Sequence, residues 1–60
     1  MTLRIIIADD HPVVRIGTRA VIEASGVGRV VGEAESVQAL MAVLASQPCD
    51  MLVTDYSMPG

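Results

Sequence analysis

The chain has 60 residues, 52% of them hydrophobic, with one cysteine, one histidine and a formal net charge of −3. A domain of this length buries only about 60% of the surface its unfolded chain exposes, so this much apolar material is more than it hides with ease. The counts exclude an internal disulfide and a Cys/His zinc cage, and Arg4, Arg15, Arg19 and Arg29, with no lysine, are too scattered to form a basic patch for nucleic acid.

Leu3-Arg4-Ile5-Ile6-Ile7-Ala8 is a short, β-branched and nearly all apolar run. It reads as a strand over 3–8 buried on both faces, as in a parallel sheet. It is far too short to span a bilayer, and its flanks do not fit a signal peptide, so a soluble cytoplasmic protein with no membrane partner is expected. Asp9-Asp10-His11-Pro12 stops the strand. Pro12 suits the first turn of a helix, where its missing N–H is no loss, and Asp10 is a suitable cap. A helix is predicted over 12–24. Val14, Gly17, Val21 and Ile22 fit one apolar face, while Val13, Ile16, Ala20 and Ala24 fit another. Such broad apolarity predicts burial on more than one side. Ser25-Gly26-Val27-Gly28 supplies the C-terminal glycine.

A second strand is predicted over 29–34, around Val30 and Val31. Ser36 can cap a second helix over 36–47, in which Val37, Leu40, Met41 and Leu44 follow the spacing of one helical face. Gln47-Pro48 closes it. Met51-Leu52-Val53-Thr54 is a third strand, over 51–54, followed by Asp55 and a Ser-, Pro- and Gly-containing loop, Tyr56 to Gly60. The order β-α-β-α-β predicts an α/β fold with right-handed crossovers and a parallel sheet covered by helices on both faces. There is no internal repeat, low-complexity segment or linker.

The acids fall in a pattern. Asp9 and Asp10 follow the first strand and Asp55 follows the third. In an open α/β sheet, ligands bind outside the carboxyl ends of the strands, where the strand order reverses. With the second and third strands on opposite sides of the first, three carboxylates converge there. Like charges so placed need compensation, and a hard divalent cation such as magnesium supplies it with carboxylates, waters and phosphate oxygens. Such a metal suits phosphoryl transfer, and an aspartate nucleophile can form an aspartyl-phosphate. Taken one at a time, the same residues have plainer readings. Asp10 serves as a helix cap, Asp9 and His11 as loop residues, Asp55 as a turn residue, and Met58-Pro59 as an apolar loop anchor.

Ile5-Ile6-Ile7-Ala8-Asp9-Asp10-His11-Pro12-Val13-Val14-Arg15, followed by Gly17, resembles the opening of NarL/FixJ-type response regulators. Val31-Gly32-Glu33-Ala34 looks like the second strand of that family. Asp50 to Gly60 resembles its phosphorylation segment, in which Asp is followed three and four residues on by Met-Pro, and Ser57-Met58-Pro59-Gly60 is close to the RcsB-like branch. The resemblance covers the whole chain. It implies a flavodoxin-like (CheY-like) receiver fold with strand order 2-1-3-4-5, of which residues 1–60 form the first three strands and two helices.

Carried over by position, the resemblance makes Asp55 the phosphoacceptor. Asp10 binds Mg2+ directly, Asp9 acts through water, Asp55 gives an oxygen and Ser57 its backbone carbonyl. The phosphoryl group comes from a sensor histidine kinase or a small phosphodonor. The family's Ser or Thr, switch aromatic and Lys fall beyond Gly60, as does the helix-turn-helix domain through which such regulators bind DNA. In the intact family fold the third strand is interior. Here it is expected at an edge, which predicts self-association through that strand or through helical surfaces. The implied role is signalling rather than enzymatic, with at most self-phosphorylation and self-dephosphorylation. Two other classes compete with it. One is a receiver-like interaction or dimerisation module that is not phosphorylated. The other is an Asp-nucleophile phosphohydrolase, disfavoured because Ser57 stands where a second acid is wanted.

Overall fold

A computed structural model of the chain describes residues 2–54; Met1 and residues 55–60 lie outside the described part. Its elements are β1 (Leu3–Ala8), α1 (Pro12–Ser25), β2 (Gly28–Ala34), α2 (Val37–Ser46) and β3 (Met51–Thr54). The strands form one parallel sheet in the order β2-β1-β3. β1 is therefore the middle strand, and Ile5, Ile6, Ile7 and Ala8 are all buried. This is why its sequence is a continuous apolar run rather than an alternating one.

The two faces of the sheet carry separate cores. On one, Ile5, Ile7 and Val30 pack with Leu3, Ile22 of α1 and Val53. On the other, Ile6, Ala8, Ala34 and Leu40 of α2 pack with Val31, Ala39, Val43 and Cys49. The helices thus lie on opposite faces, as the β-α-β-α-β order predicts. Burying each of the three isoleucines contributes about 1.5–3 kcal/mol, and Ile6 serves one core while its neighbours serve the other.

The register between β1 and β2 is interrupted once. Ile5 pairs with Val30 but Ile6 pairs with Gly32, leaving Val31 as an extra residue. Its carbonyl is not wasted, because Gln47 Nε2 donates to it at 2.7 Å. Gly32 allows the close approach of α2, since a Cβ there would sit 2.8 Å from Val43 Cγ1. The bulge also resets which way later side chains point. Val31 and Gly32 both look toward α2, so Glu33 is turned to the α1 side, where it meets Arg15 and Arg19.

The helix ends follow local chemistry. Pro12 opens α1, and Gly26, at φ 75°, takes the left-handed conformation that ends it. Ser36 caps α2, its hydroxyl accepting from Ala39 N at 3.1 Å. The Gln47 amide, donating to Val43 O at 3.2 Å, closes the last turn.

Three expectations need correction. α1 is not buried on more than one side: none of its residues is buried, and Val13, Ile16 and Val21 face outward. A helix on one face of a three-stranded sheet has a single wall to lean on, and Ile22 is what meets it. In α2 the predicted stripe is rotated. Leu40 is buried with Ala39 and Val43 beside it, while Val37, Met41 and Leu44 are exposed. The tether from Gln47 to the bulge and the gap left by Gly32 select that face. Asp10 does not cap α1. The N-cap is His11, which makes no side-chain capping bond.

Candidate functional site

The carboxyl end of β1 carries the acidic pair. The sheet continues one residue past the strand, because Asp9 N donates to Ala34 O at 2.9 Å. Asp9 is therefore buried, an unusual place for a carboxylate. Its Oδ1 accepts from the His11 amide at 2.9 Å and lies 2.8 Å from His11 Nδ1. This local turn ties the residue before α1 back to the end of β1. Asp10 Oδ1 is also 2.8 Å from His11 Nδ1, yet this buried oxygen has no hydrogen-bond partner among the described residues. One ligand atom each from Asp9, Asp10 and His11 lies within 4.8 Å of the others.

Charge near this cluster is distributed in a telling way. The Arg15 guanidinium reaches Asp9, but at its backbone carbonyl, where NH1 donates at 2.6 Å. Its other contact is Glu33, with Nε 3.4 Å from Oε1. Arg19 pairs with Glu33 at 2.8 Å and with Glu23 at 3.6 Å. Among the described residues these arginines leave both Asp9 and Asp10 carboxylates to His11. An open hollow of about 320 Å³, lined by Arg15, Glu33, Ala34, Glu35 and Ala39, lies at the carboxyl end of β2.

These observations test whether a hard cation suits the site. Two carboxylates converge, one is buried, and an oxygen of the other is buried without a hydrogen bond. Carboxylate oxygens brought together in this way suit a hard divalent cation such as Mg2+, which would offset their like charge. The donor set fits.

Of the residues singled out in the sequence, Asp9 and Asp10 are brought together and His11 is drawn in with them. Asp55, Ser57, Met58 and Pro59 lie outside the described residues. The sequence reading passed over Arg15 and Glu33. Arg15 stands one turn into α1, close enough in sequence to have raised suspicion. Glu33 carried no signal, since a bulge decides which face it takes.

Residues 5–60 match the response regulator receiver domain family. The chain is 47% identical over 58 residues to the transcriptional regulatory protein RcsB of Salmonella typhi, covering 97% of this chain and 27% of that protein. It is 36% identical over 58 residues to the probable transcriptional regulatory protein NarL of Mycobacterium tuberculosis (strain CDC 1551 / Oshkosh), with the same coverages of 97% and 27%. Among solved structures it resembles RcsB from Salmonella enterica serovar Typhimurium bound to promoter rprA in the presence of the phosphomimetic BeF3−. The TM-score is 0.91 and the identity 44%, over 98% of this chain and 29% of that one. The chain thus spans little more than a quarter of the length of these relatives.

Proposed function

This chain belongs to the response regulator receiver domain family, and on that premise we propose that it is a phosphoacceptor module of a two-component transcription regulator. Residues 1–60 form part of a receiver domain. Asp55 attacks the phosphoryl group carried by a sensor histidine kinase or a small phosphodonor, and becomes an aspartyl-phosphate as the donor's bond to phosphorus breaks. The module accepts and holds the group and is not a classical enzyme. Self-phosphorylation and self-dephosphorylation are the most it does unaided.

The observation that carries this reading is the acidic pair at the carboxyl end of the middle strand, with a buried Asp10 oxygen that makes no hydrogen bond and lies 2.8 Å from His11 Nδ1. The β1–β3 register supports the role of Asp55. Ala8, the residue before the acidic pair, pairs with Thr54, the residue before Asp55 in the sequence. Asp10 would hold Mg2+ directly, Asp9 through water, with an Asp55 oxygen and the Ser57 carbonyl completing the protein's share. Bound there, Mg2+ would neutralise charge on the transferred phosphoryl group. Asp9, kept in place by its amide bond to Ala34 and its carbonyl bond from Arg15, orients the loop that presents Asp10.

In the full regulator, output to DNA belongs to a separate helix-turn-helix domain, as the likeness to a promoter-bound relative suggests. A cytoplasmic setting for the regulator is part of the proposal, and no described helix is long and apolar enough to cross a membrane. Self-association is part of the proposal too. β3 pairs only with β1 among the described residues, and its Met51 and Leu52 are exposed. A monodisperse monomer in sedimentation would remove that part.

The test is intact-mass spectrometry after incubation with Mg2+ and acetyl phosphate, on wild type and Asp55→Asn. A single phosphate adduct on wild type alone is expected. An adduct of equal size on Asp55→Asn moves the acceptor elsewhere. Absence of an adduct on wild type, with the fold confirmed by circular dichroism, favours the interaction-module reading. The outward apolar residues Val13, Ile16 and Val21 of α1 would then be its surface.

A further inference from the structure

Arg15 is placed unlike the other arginines. Its side chain is only 18% exposed, against 46% for Arg4 and 48% for Arg19. Its guanidinium makes two contacts in different directions. NH1 donates to the Asp9 carbonyl at 2.6 Å, and Nε faces Glu33 Oε1 at 3.4 Å. On the side of the acidic pair the guanidinium holds the main chain between Asp9 and Asp10, while their carboxylates meet His11.

We propose that Arg15 is a positioning residue for the acidic pair: braced on Glu33, it clamps the Asp9 carbonyl and so fixes the loop that aims Asp9 and Asp10 at a bound cation. The inference rests on the reading of that pair as an Mg2+ site. Three facts converge on it. The turn must hold two like charges together, which pushes it to open. Asp9 is tied at both backbone ends, by its N–H to Ala34 and by its carbonyl to Arg15, and only the second tie depends on a side chain. The brace itself is built: the β2 bulge turns Glu33 to the α1 side, and Arg19 binds the second Glu33 oxygen at 2.8 Å. A chain of contacts thus runs from the sheet through Glu33 and Arg15 to the metal loop. Groups that orient metal ligands in this way commonly govern affinity by tenfold or more. The planar fork of arginine matters, because one nitrogen serves the carbonyl while another serves the carboxylate, which the single nitrogen of lysine cannot do.

The experiment compares wild type, Arg15→Ala, Arg15→Lys and Arg4→Ala by Mg2+ titration calorimetry and by hydrogen exchange of the His11 amide without metal. Arg4 lies at the far end of the same strand and reports general loss of stability. The expected result is a loss of Mg2+ affinity of roughly tenfold in both Arg15 variants, with faster His11 exchange, while Arg4→Ala keeps wild-type affinity. Wild-type affinity and exchange in Arg15→Ala overturn the inference and leave the metal reading intact. Full recovery in Arg15→Lys overturns the clamp in favour of charge alone. An equal loss in Arg4→Ala reduces Arg15 to ordinary stability and overturns it as well. A folded wild type that binds no Mg2+ overturns the metal reading first, and the inference with it.

Discussion

The two ends of the middle strand each place aspartate chemistry beside β1, and they treat it in opposite ways. At the amino end, Asp50 is fully engaged. It accepts from Arg4 N at 2.8 Å and from the Arg4 guanidinium at 3.3 Å through each oxygen, and its own amide donates to Arg4 O at 2.7 Å. Hydrogen bonding to Arg4 holds the Asp50 carboxyl below its usual range, and the same bond raises the Arg4 guanidinium. At the carboxyl end, Asp9 and Asp10 share one histidine, and an Asp10 oxygen is buried without a hydrogen bond. The nearby arginine goes to a carbonyl. One end is closed on itself and sets the register of β3. The other is left short of positive charge, which is the condition for binding a cation rather than for stability.

Breaking what both ends share has the largest expected effect. Ile6 is fully buried in the middle of β1, and Ile6→Ala is expected to cost about 2–5 kcal/mol. Chemical denaturation measures it, and a loss below 1 kcal/mol would mean that the two ends do not depend on a common core. Next comes the carboxyl end alone. At Mg2+ one hundredfold above Kd, wild type should gain about 2.7 kcal/mol. In Asp10→Asn that gain should vanish, while the metal-free Tm rises because one of two crowded charges is gone. Thermal melts with and without Mg2+ read both signs, and a metal-dependent shift that survives the substitution would dissociate Asp10 from the site.

The amino end gives smaller effects. A Cβ on Gly28 would lie 2.6 Å from Ile5 Cδ1 and 2.8 Å from the Leu3 carbonyl oxygen, and the backbone atom cannot step aside. Gly28→Ala is expected to cost about 1–3 kcal/mol through overpacking, with Mg2+ affinity unchanged. The smallest effect belongs to Asp50→Asn. Because the folded state lowers the Asp50 pKa, its contribution is fully present above the ordinary carboxylate value of about 3.9 and is lost as pH falls through the lower folded value. The Tm of Asp50→Asn should therefore be slightly lower near neutrality and should fall less steeply in acid. High salt should shrink the difference, since the pair is exposed. Parallel acid profiles for the two proteins would remove Asp50 from the account.

The elements were legible because each carries a local signal. The apolar run of β1, Pro12, Gly26 and Ser36 mark starts and stops by their own stereochemistry. The inward faces of the helices were harder to read. In α2, Val37, Leu40, Met41 and Leu44 have ideal spacing, yet Ala39 and Val43 are what pack beside Leu40. Spacing identifies a possible face, whereas contact with a particular wall chooses it. Asp10 likewise met every local requirement for a cap, but α1 begins one residue later, with His11 at its N-cap and no side-chain capping bond.

The sequence by itself determined the α/β order, the middle position of a strand buried on both faces, and the acids that follow it. It also carried the receiver-family resemblance, matched over residues 5–60. These depend on residue type and near spacing, which a linear reading contains. Only the tertiary structure decided that a bulge at Val31 turns Glu33 toward α1, that Arg15 bridges Glu33 and the Asp9 carbonyl, and that an Asp10 oxygen is buried without a hydrogen bond. Each depends on how strands and helices meet across many residues. A one-residue change of register reverses every side chain after it, and no local pattern records that choice.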